Sequence, residues 1–505
     1  MKRFTAVLLA PALAGCSFIY NPNNLPDPRM IDAAVADANP CGLSLGEIAP
    51  AIIEEGQGDS GSPPALLVIH GDNIVNTNLK VDLKSHDGSA VQLTPITDAV
   101  ASTDHTYLAF TVTAHVDTTL TTDVALDITV SQDAPQDGSC MGKATGPLSG
   151  KLTLHGLPEL MSAQPIVMTT PLPASYSMVQ ASNVKFTGPA PAVVNAVSSI
   201  SLGTVVADGV LTAPGPGANP GGASVGMCPV PGGGGGIGAS TGVAMLLATG
   251  GGGGGAGGTA MGGTGTAGKT GLGAAGGAGG SGGIKVGSDQ IVAFEQNAAC
   301  AGGLGGNGGT LVLTGTPGAG GSGGGTVALI AGGNLQATSV SAKGGAGAPG
   351  ASGGAGGGGG AGGNLMMRTD NGTLTITTID VSAGPGGAPN GAAGSVGRVR
   401  WDAPGGNAPS AAAHRGLAFE KLATRMFTTS SPSFTVVGTS GDGFSFRVID
   451  QDGHAFDGGH TSINNGLAAI TPALHPGYNQ VCITLDNGLQ GHVEADKCIA
   501  VAFLP

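Results

Sequence analysis

A mostly β protein is predicted, with an N-terminal and a C-terminal β-sandwich flanking a glycine-rich tract that is β-solenoid-like or partly disordered. Three observations predict it. Residues 41–158 and 415–505 hold short apolar runs separated by turn signals, as stacked strands do. Residues 232–406 hold roughly two-thirds of the chain's 97 glycines. Within that tract the glycine runs are interrupted by short apolar or threonine-rich segments that recur at a spacing of roughly 38 to 41 residues,.

The chain begins Met1-Lys2-Arg3 and continues as Phe4–Ala12, a basic start followed by an apolar run of signal-peptide length that is too short to span a bilayer,. Residues 1–15 are therefore expected to be a signal peptide. The run ends Leu13-Ala14-Gly15-Cys16, which resembles a bacterial lipobox. That resemblance implies a diacylglyceryl thioether on Cys16, which becomes the mature N-terminus. Two or three acyl chains exceed the single chain that gives only marginal anchoring. Ser17, not an acidic residue, follows the cysteine, and by likeness to Gram-negative lipoproteins this implies the outer membrane, on the cell surface or on its periplasmic face. Residues 16–40 read as a tether, because Asn21–Pro28 is too rich in proline and asparagine for regular structure,. Met30–Ala38 is long enough for two helical turns.

In residues 41–158, strands are expected at Ala65–His70, Leu79–Leu83, Thr106–Val112 and Val124–Val130, with turns at Gly71-Asp72-Asn73 and His86-Asp87-Gly88. The second and fourth alternate apolar with polar, the pattern of a half-buried strand. Ile48-Ala49-Pro50, Glu55-Gly56 and Leu67-Val68-Ile69-His70-Gly71-Asp72-Asn73 together resemble the opening of IPT/TIG immunoglobulin-like (Ig-like) domains, over about a fifth of the chain.

Residues 159–410 form the repeat region. Gly325–Leu335 recurs loosely as Gly363–Leu374, and Val340-Ser341-Ala342 recurs as Val381-Ser382-Ala383. An earlier copy is read in Val197–Ala213. Val327, Leu329, Leu374 and Ile376 alternate, so each pair points to one face. One strand pair cannot bury its own apolar face, but stacked units can. The strands are expected to hold the tract. The glycine runs are left with two readings, as disordered loops or as extended helices with three residues per turn that approach closely for want of side chains. In composition the tract resembles the glycine-rich regions of bacterial surface proteins of the PE-PGRS type, whose N-terminal PE domain has no counterpart here. In residues 415–505, strands are expected at Ser433–Val437, Phe444–Ile449, Gln480–Leu485 and Cys498–Phe503, with a hairpin loop at Asp450–Gly453.

A net charge of −13, thinly spread, argues against nucleic acid and anionic membrane surfaces as partners,. Aromatics at 3% leave few platforms for stacking sugars or bases. Of seven cysteines, Cys16 takes lipid. The rest pair by zone as Cys41 with Cys140, Cys228 with Cys300 and Cys482 with Cys498, in an oxidising compartment. Other pairings stay open. No CxxC or CxxxH cluster points to a metal, and no cofactor is expected.

Several segments imitate catalytic motifs. Gly263–Thr270 fits GxxxxGK[ST] but lacks the preceding strand and following helix that a phosphate cradle needs. Gly58-Asp59-Ser60-Gly61-Ser62-Pro63 resembles the nucleophile loop of trypsin-like proteases, yet the first histidine, His70, follows the serine, so a loop between strands is expected,. Gly279–Gly283 and Gly320–Gly324 fit GxSxG without a strand-to-helix elbow. Asp450–Gly453 lacks the glycine and glutamate that an EF-hand requires at its sixth and twelfth positions. The tract's acids (Asp208, Asp289, Glu295, Asp370, Asp380, Asp402) and bases (Lys269, Lys285, Lys343, Arg368, Arg398, Arg400) are scattered singly, which disfavours a polysaccharide lyase on a β-helix. Arg398 and Arg400 share a strand face and read as a solvated edge. The expected function is a structural or adhesive surface lipoprotein without catalysis. The alternative is a module that binds surface polysaccharide or a protein partner.

Overall fold

The computed structural model describes residues 42–88, 91–115, 122–133, 143–211, 213–218, 252–255, 261–269, 278–282, 316–351, 354–406, 413–486 and 496–505. Among them the protein is built from strands in several sheets, and no α-helix or 3-10 helix occurs. The expected signal peptide, Cys16, the Met30–Ala38 segment, Cys41, Cys140, Cys228, Cys300, Asp289, Glu295 and Lys285 lie outside the described residues.

The N-terminal region forms two four-stranded sheets. One is ordered Ser44–Ala49, Ala65–Asp72, Tyr107–Val112, Val100–Ala101. The other is ordered Ile52–Glu54, Lys143–His155, Val124–Asp133, Lys80–Ser85. All neighbours are antiparallel except Ile52–Glu54, which runs parallel to Lys143–His155. Leu67, Ile69, Leu108 and Phe110 of the first sheet meet Leu126, Ile128, Val130 and Leu152 of the second in one core. The alternation read in Val124–Val130 places its even-numbered apolar residues in that core, as period-two geometry requires,.

Ala65–Ile69 is apolar at every position because both its faces are covered. Its other face, Leu66 and Val68, packs with Ala109 against Tyr478, Ala502 and Leu504 near the C-terminus. The Thr103 N–H donates to the Pro505 carbonyl at 2.7 Å across the same contact. The two terminal regions therefore touch each other as well as the tract between them.

From Leu160 to Arg415 the strands form two all-parallel sheets, and from Val179 onward successive strands alternate between them. Leu160–Ser162, Val179–Thr187, Ile200–Val206, Leu335–Ser341, Thr373–Asp380 and Gly405–Gly406 neighbour one another in one sheet, with Ile166–Thr169 beside Val179–Thr187. Ala192–Ala196, Thr326–Ala331, Asn364–Thr369, Arg398–Asp402 and His414–Arg415 form the other. A shared core holds Val184, Leu202, Val205 and Val340 from the first sheet and Val327, Leu329, Met367 and Trp401 from the second. Leu374 is buried in it and Ile376 packs on its margin, the common face expected of that pair. Each fully buried Val or Leu contributes roughly 1.5–3 kcal/mol, so each turn depends on its neighbours.

The repeat read in the sequence is the stacking register. Thr326 pairs with Asn364 and Leu335 with Leu374. The earlier copy also stacks, with Ile200 opposite Leu335. One alignment is corrected: Val340 and Ser341 sit opposite Ile379 and Asp380, not Val381 and Ser382. The likeness of Val-Ser-Ala in both places misled by two residues, and the hydrogen-bonded register decides.

The described glycine segments are hydrogen-bonded in steps of three. Gly318, Gly321 and Gly324 donate to Ala355, Gly358 and Ala361; Gly356, Gly359 and Gly362 donate to Pro389, Ala392 and Ser395. Gly344, Gly347 and Gly350 donate to Ser382, Pro385 and Ala388. Antiparallel neighbours close the lattice, with Gly357, Gly360 and Gly363 donating to Ala348, Gly345 and Ala342. A three-residue step is that of an extended helix without internal hydrogen bonds, whose polar groups must find partners in adjacent chains. These segments thus carry order of their own, in addition to the strands expected to hold the tract. Gly356–Gly360 is central. A Cβ on Gly357 would sit 2.1 Å from the Ala319 carbonyl oxygen, on Gly358 1.9 Å from that of Gly254, and on Gly359 1.9 Å from that of Gly384. Three directions are blocked by three neighbours, so no position in the run admits a side chain.

The C-terminal region pairs a three-stranded sheet (Ala418–Phe419, Phe434–Val437, Leu467–Ile470) with a five-stranded one ordered Met426–Phe427, Lys497–Phe503, Gly477–Leu485, Gly443–Asp450, Ala455–Ser462. Phe434, Val436, Phe444, Val448, Val481 and Val501 share its core. Cys482 and Cys498 lie opposite each other on adjacent antiparallel strands and form a disulfide.

Candidate functional site

Three places collect polar groups. The first is where the repeat region meets the C-terminal sheets. Arg400 and Asp402 lie on the outer side of strand Arg398–Asp402, opposite to Val399 and Trp401 in the core. The Arg400 guanidinium grips the Asp402 carboxylate with Nε at 2.8 Å and Nη2 at 2.9 Å. The Lys497 ammonium donates to the same carboxylate and, at 2.9 Å, to the Leu417 carbonyl. Arg400 and Asp402 are fully enclosed, and Arg398 is buried as well. The solvated edge expected for Arg398 and Arg400 is therefore corrected. The segment leading to Leu417 covers this face so closely that a Cβ on Gly416 would lie 2.0 Å from Asp402 Oδ1. Burial by itself would raise the Asp402 pKa, but the Arg400 and Lys497 charges and their hydrogen bonds outweigh it and hold the carboxyl well below the usual carboxylate range,. Enclosed and mutually satisfied, these groups hold structure together rather than meet a substrate.

The other described acids of the tract, Asp208, Asp370 and Asp380, are also engaged. Asp208 accepts from the Ser341 hydroxyl and, at 2.7 Å, from the Lys343 N–H. Asp370 pairs with Arg368 at 2.7 Å and Asp380 with Lys343 at 3.3 Å. Burial raises the Asp380 carboxyl, yet hydrogen bonds from Ser382 and Lys343 hold it below its ordinary value.

The second place is the junction between the N-terminal sheets and the first turns of the repeat region. Strand Ile52–Glu54 ends in a loop whose backbone turns through positive φ at Gly56, Gly58, Ser60 and Gly61. Ser62 fastens it from inside: its hydroxyl lies 3.0 Å from the Gly56 carbonyl, 2.8 Å from the Asp59 carbonyl and 2.9 Å from the Gly58 N–H. The loop rests on the repeat region, with the Asn334 N–H donating to the Ser60 carbonyl at 3.0 Å and Asn371 Nδ2 to Gly61 at 3.1 Å. Under it lies a cavity of about 210 Å³ walled by Glu55, Asp59, Glu159, Ser177 and Ser198. Glu55 is buried and accepts the Leu157 N–H at 3.1 Å. The neighbouring Glu54 carboxyl is pushed up by burial, partly offset by His155.

The third place is the outer face of the sheet containing Val179–Thr187. Its outward residues line up across parallel strands: Gln180, Ser201, Gln336 and Thr375 in one row, Asn183, Thr204, Ser339 and Thr378 in another. Gln180, Ser201, Gln336, Thr375, Asn183 and Thr378 are exposed. Neighbouring strands stand about 4.8 Å apart, so the rows form a regular array of uncharged hydroxyls and amides. Lys185 and Asp380 bring charge only at its margin.

The motifs fall as follows. Ser60 and Ser62 belong to the junction loop, between strands Ile52–Glu54 and Ala65–Asp72. Residues 261–269 form neither strand nor helix, with Gly263 and Gly265 donating to Ala393 and Gly280. Ser322 of the second GxSxG is fully buried. Asp450 Oδ1 accepts the Asp452 and His454 N–H groups at 3.0 and 2.8 Å, closing the hairpin between Gly443–Asp450 and Ala455–Ser462. Sequence reading missed Glu55, Glu159 and Ser177, which are brought together only by the fold. The glycines around Asp59 were the one local sign that this loop is tightly turned.

Compared with known proteins, the chain matches no family model, no curated protein and no solved structure.

Proposed function

We propose that this chain is a non-catalytic structural lipoprotein of the cell envelope, anchored through Cys16 at the outer membrane. In this reading the facing sheets at either end are β-sandwiches, the first IPT/TIG-like, and the alternating parallel strands are the turns of a short β-solenoid backed by glycine helices. The supporting observation is how the polar side chains are used. Among the described residues of the repeat region, Asp208, Asp370, Asp380 and Asp402 are all engaged by neighbouring groups, Asp402 in the Arg400–Asp402–Lys497 cluster. The end regions close on each other through Leu66, Val68, Tyr478 and Ala502, which suits a rigid presented body. Cys16→Ser is expected to move the protein from the membrane fraction to the soluble one or to leave an uncleaved precursor. A processed Cys16→Ser protein that still sediments with membranes would overturn the anchor.

A second reading, binding of surface polysaccharide, is favoured by the hydroxyl and amide rows on the exposed sheet. Uncharged donors and acceptors at strand spacing match the hydroxyls of a neutral glycan. The mature protein is expected to bind neutral polysaccharides on a glycan array, and Gln336→Arg with Thr375→Arg to remove that binding. An unchanged array profile in the double variant rejects this face as the site.

A further inference from the structure

We propose that the Cys482–Cys498 disulfide is a reductant-sensitive latch. Closed, it holds Lys497 on the buried Asp402 carboxylate. Opened by a dithiol, it frees that end of the strand and loosens the seat of the C-terminal sheets on the repeat region. The juxtaposition is of an exposed cysteine with the buried lysine next to it in the chain, the two pointing to opposite faces of one strand,.

Strand Lys497–Phe503 sends Val501 into the core of the C-terminal region and, on the same face, Lys497 onto Asp402. Cys498, on the other face, lies opposite Cys482, and Ile483 opposite Lys497 is the last pair of the ladder. On its far side the strand meets Met426–Phe427 only at Ala502 and Phe503. The Lys497 end is therefore a sheet edge, paired on one side. The other described side-chain links there run from Arg447 and Thr484 to Asp496. The Arg447–Asp496 pair is partly exposed, and such pairs contribute little,. The disulfide is thus the strong restraint on the strand end that carries Lys497. That lysine in turn joins Asp402 of the repeat region to the Leu417 carbonyl, at 2.9 Å from the latter.

The two cysteines are unequally placed. Cys482 is fully buried, between strands Gly443–Asp450 and Lys497–Phe503, whereas Cys498 is exposed. Exchange depends on access to the sulfur attacked, and exposed disulfides are the labile ones. A thiolate of the dithiol attacks the Cys498 sulfur, the S–S bond breaks, and Cys482 leaves as a thiolate that takes up a proton. The second sulfur of the dithiol gives up its proton, attacks the mixed disulfide and releases Cys498. Two electrons and two protons pass to the protein, and the dithiol becomes a cyclic disulfide. Reduced Cys482 stays in place, since a free cysteine behaves as a small buried residue. The change falls on the edge, where the Ile483–Lys497 pair frays and the ammonium leaves Asp402. Arg400 keeps its two hydrogen bonds to Asp402, so the junction loosens without leaving that carboxylate uncompensated.

The test is amine labelling of the full mature chain with an N-hydroxysuccinimide ester, read at Lys497 by peptide mass spectrometry with and without dithiothreitol. Thiol alkylation of the same samples shows which cysteines are free. Dithiothreitol is expected to free Cys482 and Cys498 and to speed labelling of Lys497 about tenfold or more, because a protected group reacts only while its cover is open. The exposed Lys421 should label equally in both states. Cys482→Ala with Cys498→Ala leaves the remaining cysteines untouched and should label at Lys497 like the reduced parent; where dithiothreitol opens other pairs as well, this variant decides. A Cys482–Cys498 pair that resists dithiothreitol in the folded protein overturns the proposal. So does an unchanged Lys497 rate once both thiols are free. Loss of the native far-ultraviolet circular dichroism in the double variant overturns it too, because the disulfide then staples the whole fold. This inference does not depend on the lipid anchor or on glycan binding.

Discussion

Gly359→Ala is expected to dismantle the glycine layer, whereas Gly405→Ala, in the same repeat region, is tolerated. The added methyl at Gly359 would sit 1.9 Å from the Gly384 carbonyl oxygen, far inside contact distance. The obstacle is backbone, which cannot rotate away as a side chain tip does. Backbone could move only by breaking the hydrogen bond from the Gly359 N–H to Ala392 at 2.8 Å and its neighbours. Overpacking of a tight interior costs about 1–3 kcal/mol and more where the surroundings cannot yield. A loss of about 3 kcal/mol is expected here, together with a lattice of bonds that depend on the same spacing. At Gly405 nothing lies within 4 Å of the added carbon, and a change within about 0.5 kcal/mol is expected. Hydrogen exchange reads the difference. In the parent protein the N–H groups of Gly356, Gly359 and Gly362 should exchange slowly, and in Gly359→Ala the segment 354–363 should lose protection with its partners at 384–395. Equal protection in parent and variant would mean that the glycine helices do not pack as described.

The strands were legible because burial writes a period into the sequence. Val124–Val130 alternates, and so do its environments. The continuous apolar run at Ala65–Ile69 read only as a strand; that its second face is also buried, against Tyr478 and Ala502 some four hundred residues later, is set by long-range packing. The glycine helices were half legible. Glycine recurs every third position at Gly318, Gly321 and Gly324, at Gly344, Gly347 and Gly350, and at Gly391, Gly394 and Gly397, where one face of each helix meets a neighbour. That phase disappears in Gly356–Gly360, where all three faces are blocked and every residue is glycine. The run most needed for packing thus has the composition of a linker. The junction cavity left little trace, because its walls come from Glu55, Asp59, Glu159 and Ser177, which lie on separate segments. Local patterns report local burial, whereas sites assembled by long-range packing have no period to read.

The same limit applied to Arg398 and Arg400. Two arginines on one strand face resemble a solvated edge until Lys497, 95 residues beyond Asp402, is placed beside Arg400 and Asp402. Asp402→Ala is expected to be the most damaging single substitution at this end of the protein. It removes one negative charge and leaves two buried cations, Arg400 and Lys497, without their counter-ion. Breaking a buried ion cluster in this way costs about 3–5 kcal/mol. Replacing the three together, Arg400→Met, Asp402→Leu and Lys497→Met, should recover most of the loss, because the desolvation cost of every charge is then removed. The pH dependence has a definite sign. The folded-state carboxyl is held well below its ordinary value, so its contribution is fully present above the unfolded-state pKa of about 3.9 and fades as pH falls below it toward the folded-state value,. No loss from this group is expected between about pH 5 and 8, and a steep one below about pH 4. The chain's single tryptophan, Trp401, is buried next to Asp402 and reports this region directly. Urea unfolding followed by its fluorescence should show a large drop in midpoint for Asp402→Ala, a smaller one for the triple variant, and an acid-sensitive midpoint in the parent that the triple variant lacks. If Asp402→Ala unfolds at the parent's midpoint, or the parent and triple variant share one acid profile, the cluster does not hold this junction.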